Sequence, residues 1–117
     1  MEKWRDLKVW QKSHLLVLNI YKTTRLYPKD EQYCLVSQMR RAAISIVANI
    51  VEGSKRQTNK DQKHFYNISE TSLEELKYYF ILSYHLEYIT AEQGKCLMEK
   101  AREIGRMLSG LTSYLSK

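Results

Sequence analysis

Gln38 to Gly53, Q-M-R-R-A-A-I-S-I-V-A-N-I-V-E-G, is the stretch whose reading decides the fold. At about 100° per residue, Leu35, Met39, Ala42, Ile46 and Ile50 fall on one side of a helix, and Ile44, Val47 and Val51 fall on another. The apolar arc covers more than half of the circumference. What stays polar is one stripe, Gln38, Arg41, Ser45, Asn49 and Glu52. A bundle helix needs a single apolar face, so this pattern predicts burial on two sides, against its own domain and against a partner. The stripe reads as a structural polar network: if a subunit covers it, Arg41, Ser45, Asn49 and Glu52 must satisfy one another, with Arg41 donating and Glu52 accepting.

Outward from this segment, helical periodicity continues in both directions. Asp6 is a plausible N-cap for a first helix running to about Leu26, with Leu7, Trp10, His14, Val17, Leu18 and Tyr21 as its core stripe. A second, thinner stripe, Val9, Leu16, Ile20 and Tyr27, follows the opposite side. Pro28 with Lys29 and Asp30 reads as a connection, and helix two runs from about Glu31 to Glu52 with Gly53 as its C′ residue. The polar stretch Ser54 to Asn59 is a short loop, and Thr58 with Asp61 resembles a capping box. Helix three is the longest, from about Asn59 to Ile89, or about 45 Å at ~1.5 Å per residue. Its expected core face is Phe65, Ser69, Ser72, Leu76, Tyr79, Phe80, Ser83 and Leu86, where serines allow close approach and can return their hydroxyl bonds to their own backbone. Thr90-Ala91-Glu92-Gln93 is a capping box that opens helix four, Ala91 to Leu115, with Leu97, Ala101, Ile104, Leu108, Leu111 and Leu115 on one face. Gly105 and Gly110 within it point to close packing. Four helices with short connections and no strand alternation predict an all-α, antiparallel up-down-up-down four-helix bundle.

The 117 residues correspond to one domain, 1 to 117, long enough to bury a core without disulfides or metals. Apolar content of 44% and charged content of 27% are ordinary for a soluble protein. The chain begins with a charged amphipathic segment instead of an apolar signal core, and a cytoplasmic location is expected. Cys34 and Cys96 share no C-x-x-C spacing and read as buried or idle thiols.

Reactive constellations are hard to assemble from this chain. His14, His64 and His85 lie far apart, and Asp61-x-x-His64 is the lone approach to the paired Glu-x-x-His ligands that a bundle needs for two metals; no metal and no cofactor is expected. His14 is expected in the core. Neither thiol has a histidine neighbour at helical spacing to activate it, and the four glycines form no phosphate-cradling loop. Glu52, Glu74 and Glu75 suggest no pocket for an acid and base pair. The expectation is a protein without catalytic residues.

Charge is more informative. An antiparallel bundle brings residues 1 to 14, 41 to 58, 59 to 73 and 104 to 117 to one end, which then carries 11 Lys or Arg against 5 Asp or Glu, whereas the other end holds 8 of each. The whole net charge of +6 is thus at one end. Lys3, Arg5, Lys8, Lys12, Lys55, Arg56, Lys60, Lys63 and Arg106 are the candidate nucleic-acid-binding residues, with contacts to phosphate and no groove-reading helix. Val9, Leu16, Ile20, Ile44, Val47 and Val51 are the candidate oligomer interface, because that much exposed apolar surface would be an aggregation liability on a monomer.

The segments L-K-V-W-Q-K (Leu7 to Lys12), Y-P-K-D-E (Tyr27 to Glu31), Q-M-R-R-A-A-I-S-I-V-A-N-I-V-E-G (Gln38 to Gly53) and S-L-E-E-L (Ser72 to Leu76) resemble the four helix bundle protein family, also called 23S rRNA intervening sequence proteins. S-I-x-x-N-I-x-E-G, from Ser45 to Gly53, is the most specific part. The resemblance implies a bacterial, cytoplasmic bundle that assembles as a ring-like homopentamer, with some members encoded inside insertions in the large ribosomal RNA gene. It carries over no catalytic residue. A structurally similar group, the accessory proteins of diversity-generating retroelements, is basic and pentameric and binds nucleic acid and a reverse transcriptase. HEPN-type ribonucleases are also small helical bundles, but their arginine is followed by histidine after four to six residues, whereas Arg56 and His64 have seven between them. Two function classes follow: a non-enzymatic, oligomeric adaptor that binds RNA or DNA backbone through its basic end, or a protein-interaction scaffold whose basic end docks an acidic partner such as an enzyme acting on nucleic acid. No membrane partner is expected.

Overall fold

Leu35, Met39, Ala42, Ile46 and Ile50 are all buried in the computed structural model of the chain, which describes residues 2–117. The helix that carries them, α2 (Leu35–Ser54), follows α1 (Lys8–Thr24) and precedes α3 (Asn59–His85) and α4 (Ala91–Leu115). Two short 3-10 turns, Lys3–Asp6 and Lys29–Glu31, stand before α1 and α2. Each helix packs on its chain neighbours, and α1 also closes on α4, giving an all-α bundle of 44 × 23 × 21 Å with no strand among the described residues. No helix of the described residues is long and apolar enough to cross a membrane.

The α2–α3 seam is the most extensively packed. α3 turns Tyr66, Ser69, Leu73, Leu76, Phe80 and Ser83 inward, while Phe65, Ser72 and Tyr79 are half-buried and Leu86 is exposed. Three of its serines do not return to their own backbone as expected. Ser69 Oγ donates to the Ile46 carbonyl at 2.8 Å, Ser72 Oγ to Ser45 Oγ at 2.8 Å, and Ser83 Oγ to Met39 Sδ at 3.6 Å. A side chain this short can reach a facing helix only where the two backbones come close, and the bonds then hold them there.

Gly53 belongs to the same seam. It lies inside α2, buried and without positive φ, so it is not the expected C′ residue. A Cβ there would sit 2.7 and 2.9 Å from the Tyr66 ring and 3.2 Å from the Gln62 carbonyl oxygen, so close approach to α3 requires the missing side chain. The reverse holds in α4. A Cβ at Gly105 would make ordinary contact with Leu73 at 3.5 Å, and one at Gly110 would meet nothing within 4 Å, so close packing does not explain Gly110.

In α1 the two stripes exchange roles. Val9, Ser13, Leu16, Ile20 and Thr24 are buried, with Tyr27 just beyond the helix, while Leu7, Trp10, Val17 and Tyr21 lie half-buried at the edge and His14 and Leu18 are exposed. Val9, Leu16 and Ile20 are therefore core residues of the protomer and cannot serve an oligomer interface. Ser13 and Thr24 sit in register with the apolar members of the buried stripe and interrupt its hydrophobic signal. The amphipathic rings of His14 and Tyr21 keep polar atoms near water, whereas Trp10 Nε1 is buried without a partner among the described residues. Thr24 satisfies its hydroxyl by donating to the Ile20 carbonyl at 2.7 Å, and Arg40, stacked 4.4 Å over Tyr21, donates Nε to Thr24 Oγ1 at 3.1 Å, joining α2 to α1.

Helix ends account for the remaining differences. Leu7, not Asp6, precedes α1, and no side chain caps that helix. α2 starts at Leu35 because Glu31 to Cys34 form turns, with Glu31 Oε1 accepting from the Leu35 N–H at 3.4 Å. The other oxygen of Glu31 accepts from Tyr88 Oη at 2.8 Å, and this bond to a carboxylate pushes the Tyr88 phenol up to about 12. α3 stops at His85, short of Ile89, because Glu87 adopts φ 67°. The Tyr88 N–H then bonds the Ser83 carbonyl at 2.9 Å and the Glu87 N–H bonds the Tyr84 carbonyl at 3.0 Å, a Schellman closure. Thr58 caps α3, its Oγ1 accepting from the Asp61 N–H, but without the reciprocal bond of the expected capping box, whereas Thr90 and Gln93 make a full one.

Candidate nucleic-acid interface

The basic end is assembled by short polar contacts between chain segments. Asn59 Nδ2, at the start of α3, donates to the Leu115 carbonyl at the end of α4 at 3.3 Å. Gln62 Nε2 donates to the Arg56 carbonyl at 3.0 Å, folding the α2–α3 connection back on α3, and Gln11 Nε2 donates to the Arg5 carbonyl at 2.9 Å, tying the first 3-10 turn to α1. Lys3 and Lys55, 52 positions apart in the chain, line one cleft.

The nine expected cations divide into groups. Among the described residues, Lys3, Lys8, Lys55, Lys60 and Lys63 enter no ion pair, and all but the half-buried Lys63 are exposed. Arg5 is exposed on the 3-10 turn at the same end. Arg56 is half-committed: it bridges to Glu52 at 2.9 Å and lies 4.6 Å over the Phe65 ring, which leaves its guanidinium oriented at the end of α2. Lys12 bridges to Glu103 at 2.8 Å; its bond and charge, aided by Arg106, hold that carboxyl below the usual range. Arg106 lines a cleft between α3 and α4 together with Glu70 and Glu74 and enters no ion pair among the described residues. Lys12 and Arg56 are thus the two expected residues that intramolecular carboxylates claim.

Sequence reading missed Trp4. It is half-buried, 5.1 Å from Trp10, and Trp10 stacks on His14 at 5.1 Å with the planes 7° apart. His14 is therefore not a core histidine but the exposed end of an aromatic run. The available signal was a tryptophan between two cations, Lys3-Trp4-Arg5.

The polar stripe of α2 is real but differently wired. Asn49 Nδ2 donates to the Ser45 carbonyl at 2.9 Å and to Ser45 Oγ at 3.1 Å, and Ser45 receives Ser72. Arg41 reaches Gln38 and Glu75, the latter at 2.8 Å, while Glu52 takes Arg56. Arg41 and Glu52 stand eleven positions apart on one helix, about 16 Å at ~1.5 Å per residue, and do not meet. Glu52, Glu74 and Glu75 are each paired with a cation, Glu74 with Lys77, so no carboxylate couple forms among them. Cys34 and Cys96 are exposed, not buried. No group of three metal-ligating side chains occurs among the described residues.

These features define a class, an antiparallel four-helix bundle with a positively charged end. The chain belongs to the 23S rRNA-intervening sequence protein family, whose model matches residues 5–110. Among solved structures it is similar to a protein of unknown function from the S23 ribosomal protein family of Bacteroides thetaiotaomicron VPI-5482, at 28% identity and a TM-score of 0.82 over 89% of this chain and 97% of that one. No curated protein matches the chain.

Proposed function

We propose that this protein is a non-catalytic, oligomeric adaptor that binds nucleic acid, RNA associated with the ribosomal RNA locus above all, through phosphate contacts at its basic end. The observation that carries this reading is the segregation of charge: the formal excess of +6 lies at one end, where Lys3, Lys8, Lys55, Lys60 and Lys63 enter no ion pair among the described residues. The family's own description, with its reference to 23S rRNA, supports RNA as the partner.

Oligomerisation follows from the second apolar face of α2. Ile44 is 45% exposed in the isolated protomer, with Val47 and Val51 half-buried beside it. A ring of copies covering that face, five by family resemblance, multiplies the basic end along one rim and steepens the salt dependence of binding. A monodisperse monomer by light scattering at micromolar concentration rejects this part. Binding of RNA and DNA across a salt series, for wild type and for a variant with Lys55, Arg56, Lys60 and Lys63 changed to glutamate, tests the rest. Affinity should fall steeply with salt and be lost on charge reversal; binding that the reversal leaves untouched rejects the adaptor.

The second reading, a protein-interaction scaffold, is favoured by one feature. An apolar cleft of about 660 Å³ between α3 and α4, walled by Phe80, Ile81, Tyr84 and Met98, suits a protein side chain better than a phosphate. A scaffold would show little salt-dependent affinity for nucleic acid.

A further inference from the structure

Trp4 has a cation on either side of it in the chain, Lys3 and Arg5, and the fold brings Lys55 to the same place. The first 3-10 turn and the end of α2 enclose a cleft of about 360 Å³ whose walls are Trp4, Leu7 and Ser54, with Lys3 and Lys55 and one acidic group, Glu2. Trp4 packs against Trp10 in a tilted contact, and Trp10 stacks on His14, so the half-buried Trp4 ring is held by its aromatic neighbours instead of lying free on the surface.

We propose that this cleft is a base-stacking pocket, in which an unpaired nucleobase lies on Trp4 while its flanking phosphates are held by Lys3 and Lys55. The proposal rests on the nucleic-acid reading above and narrows its ligand to single-stranded chains. In a duplex the base faces cover one another and only their edges are open, so a recessed indole has nothing to stack on. A flexible strand can turn a base into the cleft, and because every base has a π-face the contact is tolerant of sequence. Leu7 adds apolar wall. The Glu2 carboxylate, which can only accept, suits the N–H groups of a base edge and disfavours a third phosphate there.

The chain has two tryptophans, Trp4 and Trp10, and they contact each other, so intrinsic emission reports on the pocket directly. The test titrates the full chain with single-stranded oligo-U and oligo-dT of roughly 15 nucleotides and with a duplex of equal length. Single strands are expected to quench the emission. Trp4→Ala should weaken single-strand binding about ten-fold and leave duplex binding unchanged, whereas Trp4→Phe, which keeps a π-face, should retain most of the affinity. Circular dichroism and melting of each variant separate a folding defect from a binding defect, and Trp4→Phe still reads the pocket if Trp4→Ala does not fold. Trp4→Ala binding single strands as tightly as wild type, or saturation without quenching, overturns the pocket. Salt-dependent binding of single and double strands alike, lost on the charge reversal but indifferent to Trp4, rejects the pocket and keeps the basic end. Absence of any binding by wild type rejects both.

Discussion

Between α2 and α3, the buried hydroxyls of Ser69 and Ser83 reach across to the facing helix, and Gly53 lets the Tyr66 ring close onto the α2 backbone. Where α1 joins the bundle, Ser13 Oγ and Trp10 Nε1 are buried without a partner among the described residues, and in α4 a Cβ at Gly110 would meet nothing within 4 Å. The first contact depends on close backbone approach and on directional bonds, so it tolerates little added volume. The second is ordinary side-chain packing at the edge of the core, and it tolerates more. Hydrophobicity is a poor guide to this difference, because the closer seam is the one richer in small and polar residues.

The largest effect should come from Gly53→Ala. The new methyl would meet a buried ring and a backbone carbonyl, neither free to move away, so the change should cost about 2 kcal/mol despite alanine's better helix propensity. Urea unfolding measures it, and a wild-type midpoint would show that Tyr66 can swing aside and that the seam is not closed. Glu87→Gly should act in the opposite sense by about 1 kcal/mol, since it relieves a left-handed residue in the turn that delivers α4. A lower melting temperature would mean that the Glu87 side chain contributes more than its backbone costs. Gly110→Ala should stabilise by about 0.5 kcal/mol, the gain of a better helix former in open space near a helix end. If it destabilises instead, the α1–α4 contact is tighter than its geometry indicates.

The smallest effect concerns Glu70, on the α3–α4 side. Burial first, and the Glu74 charge second, push its carboxyl above the usual range, and one of its oxygens is buried without a partner. With the folded-state pKa raised, the stability it contributes is complete below the ordinary carboxyl value of 4.5 and is lost as pH rises through the raised value. Glu70→Gln should therefore be slightly more stable than wild type at pH 7 and lose that advantage in acid. Melting curves at both pH values check it, and parallel pH profiles would show that Glu70 is solvated in the folded chain.

Much of this was legible because it is local. The α2 face from Leu35 to Ile50, the caps at Thr58 and Thr90, and the bounds of α4 depend on periodicity and short-range hydrogen bonding, which a linear string records. The misreadings in α1 have the opposite origin. Which of two stripes enters the core depends on what faces it, and Ser13 and Thr24 masked the stripe that does. Gly53 looked like a terminator because glycine ends helices by backbone freedom, yet it is present for want of a side chain opposite Tyr66. At the candidate site, the sum of charge was visible from composition, but the claims of Glu103 on Lys12 and of Glu52 on Arg56 were not.

By itself the amino-acid sequence determined four amphipathic helices, their order, their family and the end at which the positive charge gathers, since helical period, turn chemistry and charge are properties of neighbouring residues. Only the tertiary structure decided which face of α1 is core, that the α3 serines bond across to α2, and that Trp4, Lys3 and Lys55 share a cleft. Those outcomes are set by the distance of approach between segments far apart in the chain, and no local pattern encodes that distance.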